Sequence, residues 1–157
     1  MRIKDVMTKD PTCCVPSDSA QQAASIMRAE NAGVVPVIQN EQSRTVIGIV
    51  TDRDLCMHVV AEGRDPSTVR VENCMTTVVV TCTPDDSVET VTELMRENQI
   101  RRVPVVGGSG ELQGIVALAD VVERGKVKAS QTHATLKKVS EPTEEASKPR
   151  AESENAA

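Results

Sequence analysis

The chain has 157 residues and a formal net charge of −5, with no Phe, Tyr or Trp. That length suits one domain, or two small half-domains sharing a core that must be built from Val, Ile, Leu, Met and Ala. The lack of aromatic rings excludes a stacking platform for single-stranded nucleic acid, the acidic balance argues against a duplex DNA binder, and no apolar run approaches a membrane span.

At the amino end, Met1-Arg2-Ile3-Lys4-Asp5 has no apolar signal-peptide centre, so a cytoplasmic protein is expected. A short strand is expected over 12–15, followed by a turn rich in Pro, Ser and Asp in which Ser19 is a candidate N-cap. Ala20, Ala23, Ala24 and Met27 then fall on one helical stripe. A strand over 34–38, a polar turn over 39–44 and a returning strand over 45–50 lead to a second helix that begins near Thr51 and stops at Gly63. Arg64-Asp65-Pro66-Ser67 has the character of a linker. The same order then returns: a strand over 78–83, a cap at Ser87, a stripe of Val88, Val91 and Met95, strands over 102–106 and 112–116 around a Gly-rich turn, and a helix from about Leu118. From about Ser130 large apolar residues almost vanish. A mobile polar tail is expected there, in which Leu136 and Val139 can dock one turn against a partner.

The recurrence is an internal repeat. Asp5-Val6-Met7-Thr8 returns as Asn73-Cys74-Met75-Thr76, Val35-Pro36-Val37 as Val103-Pro104-Val105, Gly48-Ile49-Val50 as Gly114-Ile115-Val116, and Asp54-Leu55 as Asp120-Val121. The expected organisation is a first repeat over 1–63, a linker over 64–71, a second repeat over 72–128 and a disordered polar tail over 129–157. The strand–helix–strand portion of each repeat should cross over right-handedly onto a parallel pair. The fold class is mixed α/β. One unit is too small to bury its own core, so two β-α-β-β-α units are expected to pack sheet to sheet with pseudo-twofold symmetry.

The odd count of five cysteines includes no C-x-x-C pair, and His58 and His133 are isolated. Small buried thiols fit this pattern better than a metal or redox site, and no metal site is expected. There is also no nucleophile–base pair and no phosphate loop of the G-x-x-x-x-G-K type, so no catalytic residue is assigned.

Gly48-Ile49-Val50-Thr51-Asp52-Arg53-Asp54-Leu55 and Ile100-Arg101-Arg102-Val103-Pro104-Val105, with the D-V-M-T start, resemble the CBS domain family, named for cystathionine β-synthase. The resemblance covers roughly 1–126. It implies a β-α-β-β-α fold in each repeat, pairing of the repeats into a Bateman module, further association as a homodimer, and adenosine ligands held between the repeats. The implied ligands are AMP, ADP, ATP or S-adenosylmethionine, acting as regulators rather than as obligatory cofactors.

Residue roles follow from that resemblance. Thr51 would face phosphate and Asp54 and Asp120 would face ribose, while Arg101 or Arg102 would reach phosphate across the cleft, only one of the two pointing inward because strand residues alternate. Val35, Pro36, Val103 and Pro104 would form apolar walls, with Pro leaving a neighbouring carbonyl free for the adenine amino group. Cys13 and Cys14 would lie on the strand that contacts adenine through its backbone. Locally, Thr51-x-x-Asp54 reads equally as a capping box, which needs no ligand. The second repeat keeps the acid and has Ala117 in place of the hydroxyl, which favours binding and makes the Thr51–Asp54 cleft the expected better phosphate site. A ligand sensor that signals to a separate partner protein is the leading reading. A ligand-free dimeric scaffold is the alternative.

Overall fold

The structure, a computed structural model, describes residues 1–124 and 129–141. The elements are β1 (Thr8–Lys9), α1 (Ala20–Ala29), β2 (Val34–Ile38), β3 (Val46–Thr51), α2 (Asp52–Leu55), α3 (Val88–Asn98), β4 (Arg102–Val106), β5 (Leu112–Ala117), α4 (Leu118–Arg124) and α5 (Ala129–Val139). A π-turn over Cys56–Val60 continues α2, and single 3-10 turns occupy Ile3–Asp5 and Val71–Asn73. Among the described residues no helix is long and apolar enough to cross a membrane.

Each repeat folds around an antiparallel hairpin, β2 with β3 and β4 with β5. The strands expected over 12–15 and 78–83 shrink to single parallel bridges, Cys14 to Val37 and Cys82 to Val105. Proline is the physical reason. Cys14 N–H donates to the Pro36 carbonyl at 2.9 Å and Cys82 N–H to the Pro104 carbonyl at 3.1 Å. The next rung of each ladder would need an N–H from Pro36 or Pro104, and proline has none.

The helices begin where the sequence places caps. Ser19 Oγ accepts from Gln22 N–H at 3.1 Å, and Ser87 Oγ accepts from Thr90 N–H at 3.1 Å. Ala20, Ala23 and Met27 face the core, as do Val88, Val91 and Met95. Ala24, expected on the same stripe, is exposed, and Ile26 packs against the core instead. Gly63 sits at φ +64° and Arg64 N–H donates to the Val59 carbonyl at 3.0 Å, a left-handed stop that glycine takes without strain.

The opening segments of the two repeats are exchanged. Ile3 and Val6 lie in the core of the second repeat with Val91, Met95, Val103 and Val116. Val69, Val71 and Cys74 lie in the core of the first repeat with Ala23, Val35, Val37 and Val50. β1 therefore pairs with β5, and Thr76 bridges Ile49. The stretch expected to be a linker over 64–71 is thus core at its far end, with Val69 and Val71 both buried. Symmetry appears in the contacts themselves. Arg2 bridges Ser87 as Ser19 bridges Arg70, and Thr45 and Glu111, which occupy equivalent places in the repeat, bridge each other on the pseudo-twofold axis.

Part of the stretch expected to be a polar tail is helical. Ala129–Val139 form α5, which packs on α3 and buries Thr135 and Val139. Val139 docks on its own chain rather than on a partner. Positions 125–128, where the second repeat is expected to end, and 142–157 of the expected tail lie outside the described residues.

Candidate functional site

The turn from β3 into α2 is a reciprocal capping box. Thr51 Oγ1 accepts from Asp54 N–H at 3.0 Å, and Asp54 Oδ2 accepts from Thr51 N–H at 2.9 Å. At the corresponding turn from β5 into α4, Asp120 Oδ2 accepts from Ala117 N–H at 3.3 Å. The acid of the second repeat therefore caps alone, and its survival beside Ala117 is no argument against a capping role. Both carboxylates keep spare acceptor capacity, since an ionised carboxylate offers about four lone-pair sites. Thr51 also keeps its hydroxyl proton, because here the oxygen is the acceptor.

The two turns differ in charge. Asp52 begins α2, and its carboxylate sits over Gly33, where a Cβ would come within 2.7 Å of Asp52 Oδ2. The matching places in the second repeat are Leu118, which is buried, and Arg101. The start of α2 thus carries Asp52, Arg53 and Asp54, while the start of α4 carries Asp120 with Arg101 and Arg102 beside it. On charge the second turn suits an anion better, whereas the Thr51 hydroxyl favours the first.

A cleft of about 110 Å³ runs between the two hairpins, lined by Thr8, Thr12, Glu30, Val34, Pro36, Arg102 and Ile115 among others. Thr12 Oγ1 donates to Glu30 Oε1 at 2.9 Å on its wall. Around Arg102 a second, wider groove of about 430 Å³ opens, lined by Arg101, Arg102, Ala117, Leu118, Ala119, Val122, Glu123 and Leu136. Arg102 is half-buried and faces both spaces, while Arg101 is exposed and its Nη2 donates to Ser140 Oγ at 3.2 Å. Of the residues singled out in the sequence, the structure brings Pro36 and Arg102 together in the narrow cleft, and both arginines together in the groove.

Other assignments change. Val35 and Val103 are fully buried core residues, so their side chains wall no cleft, and Cys14 is likewise in the core. Strand alternation turns these side chains inward and leaves Val34, Pro36 and Arg102 facing the opposite repeat. Pro36 and Pro104 are buried, and their own carbonyls accept from Cys14 and Cys82. Burial pushes the Cys14 and Cys82 thiols up to about 12, with Asp18 and Asp86 respectively adding to the shift. Cys13 is half-buried, and its thiol is also raised, again chiefly by burial. Among the described residues no three His, Cys, Asp or Glu side chains gather to hold a metal ion.

Sequence reasoning missed Thr8, Thr12, Glu30, Val34 and Ile115. The period-two rule applied to Pro36 would have found Val34, and the exchange of opening segments is what carries Thr8 and Thr12 to the cleft.

The sequence model of the CBS domain matches residues 3–61 and 71–126. The CBS domain-containing protein YhcV of Bacillus subtilis (strain 168) is 39% identical over 119 residues, which span 76% of this chain and 81% of that protein. The CBS domain pair of protein MJ0100, solved in complex with 5′-methylthioadenosine and S-adenosyl-L-methionine, superposes with a TM-score of 0.69 at 28% identity, covering 78% of this chain and 94% of that one. CBSX2 in complex with AMP superposes with a TM-score of 0.68 at 26% identity, covering 79% and 95%.

Proposed function

The chain belongs to the CBS domain family, and from that premise we propose that it is a regulatory module that binds an adenine nucleotide in the space between its repeats. The observation that carries this reading is Arg102, a half-buried guanidinium facing both the inter-repeat cleft and the groove at the start of α4. A cation so placed, among Val34, Pro36 and Ile115 of the cleft and Leu118 and Val122 of the groove, suits a ligand that pairs an apolar body with an anionic group. The adenosine ligands of MJ0100 and CBSX2 support the choice of class. AMP, ADP and ATP carry phosphate for Arg102, while S-adenosylmethionine would use the same walls without it. Asp120 would accept from ribose hydroxyls on its remaining lone pairs. Asp54 and Thr51 would serve a second site, weaker for phosphate because Asp52 stands beside it.

Output passes, in this reading, to a separate partner protein. Self-association would use the outer face of the first repeat's second helix, where Met57 and Val60 are 47% and 72% exposed. Sedimentation of the wild type and of Val60→Lys checks that surface, with a shift to smaller species expected for the variant.

Thermal melting with AMP, ATP and S-adenosylmethionine tests the sensor. A ligand at a hundredfold its dissociation constant stabilises by about 2.7 kcal/mol. Arg102→Ala should weaken AMP and ATP more than S-adenosylmethionine. No shift with any of the three ends the proposal. One observation favours the scaffold reading as the fallback: Thr51, Asp54 and Asp120 already serve as caps.

A further inference from the structure

α5 does more than cover α3. Gln99 Nε2 donates to the Lys138 carbonyl at 3.3 Å, and Arg101 Nη2 to Ser140 Oγ at 3.2 Å, so the end of α5 is tied to the residues leading into β4. Val139 and Thr135 are buried by this docking. Leu136, on the same helix, stays 45% exposed, and it fronts the groove that Arg101, Arg102, Ala117, Leu118 and Val122 also line. An apolar side chain held at such an edge, in a groove that two guanidinium groups also line, leaves one wall half-made until something lies against it. The lining holds two arginines against the single carboxylate of Glu123, so its charge suits an anion.

We propose that α5 is the closing wall of the nucleotide site. AMP would set its phosphate at Arg102, where the cleft between the repeats opens into this groove, within reach of Arg101, and its apolar body against Leu118, Val122 and Leu136. The inference rests on the adenine-nucleotide reading above and adds to it a residue, Leu136, and a direction of coupling. Because Leu136 gains contact only when the groove is filled, bound AMP strengthens the docking of α5, and docked α5 strengthens AMP binding by the same factor. Ser140 acts as a positioning residue, holding Arg101 at the groove edge. α5 thereby becomes the element whose order reports the ligand to a partner.

The test uses the full chain and its variant Leu136→Ser, a change at an exposed position, with AMP as the probe. Calorimetry should show AMP binding weakened by about tenfold in the variant, within the usual range for coupled sites. Hydrogen exchange of the amides from 133 to 140 should slow when AMP is added to the wild type. Unchanged AMP affinity in Leu136→Ser, or exchange that quickens with AMP, overturns the role of α5 while leaving nucleotide binding intact. Binding that responds only to an apolar peptide assigns the groove to a protein partner and also overturns it. Failure of the wild type to bind AMP or any other adenosine compound overturns the nucleotide reading itself, and α5 as a nucleotide wall with it.

Discussion

Gly114 has no room for a methyl group. A Cβ there would lie 2.8 Å from Met7 Sδ and 2.8 Å from the Thr8 carbonyl oxygen. Gly48 meets Met75 Sδ at 2.9 Å and the Thr76 carbonyl oxygen at 3.0 Å in the same way. A methionine can swing aside, but a backbone carbonyl in a strand pairing cannot. Gly114→Ala should therefore destabilise by about 1–3 kcal/mol, the usual cost of overpacking, read as a lower urea midpoint. A second prediction at this scale concerns pH. The folded chain holds the Cys14 and Cys82 thiols protonated up to about 12, whereas an exposed thiol ionises from its ordinary value of 9.0. The unfolded chain then binds fewer protons, so stability is intact below that value and falls as pH rises through the window. The chain has no Tyr to mask the effect. Urea midpoints compared at about pH 8 and about pH 10 should fall less in Cys82→Ala than in the wild type, a range that thiols enter before most lysines. What the sequence could show at this scale was the list of residue types. Thr51 with Asp54 was visible as a pair, but spacing alone left cap and ligand site open, since both use the same atoms.

At the scale of elements, periodicity located the helices and hairpins because burial imposes it. The caps at Ser19 and Ser87, the strands over 34–38 and 102–106, and the left-handed stop at Gly63 all carry local signals, and all are present. The features hidden from local reading are those set by distant contacts. Thr8 and Lys9 form a strand only because β5 of the other repeat presents a free edge. α5 has few apolar residues of its own and is held by α3, by Gln99 and by Arg101. The exchange of opening segments makes a prediction that sequence order would place in the wrong half. Ile3 is fully buried against the second repeat's core, so Ile3→Ala should cost about 2–5 kcal/mol, the range for truncating a buried isoleucine. Native-state hydrogen exchange should quicken in α3 and β4 more than in α1 and β2. Equal loss in both repeats, or loss confined to the first, would contradict the assignment of Ile3 to the second core.

For the whole molecule, exchange means that neither repeat owns a complete core. The first lacks Val69, Val71 and Cys74 until the chain has passed the linker, and the second lacks Ile3 and Val6 unless the amino end reaches it. The hairpins are joined as well, with Val46 N–H donating to the Gly110 carbonyl at 3.0 Å and Leu112 N–H to the Arg44 carbonyl at 2.8 Å. A chain built this way should unfold in one transition, since loss of either core strips apolar cover from the other. The exposed stretch from Arg64 to Ser67 allows a direct check, because a protease site placed there cuts the chain without touching either core. After cleavage the two fragments should elute together from a sizing column and melt as one species, at a lower temperature than the intact chain because the linkage no longer restrains the unfolded state. Separated in urea and returned alone to buffer, the fragment ending at the cut should expose Ile3 and Val6 and lack part of its own core, and it should fail to fold. Mixed, the two should recover the original melt. Independent folding of either fragment would mean that the exchanged segments contribute little, and that the two repeats are separate domains joined by a tether.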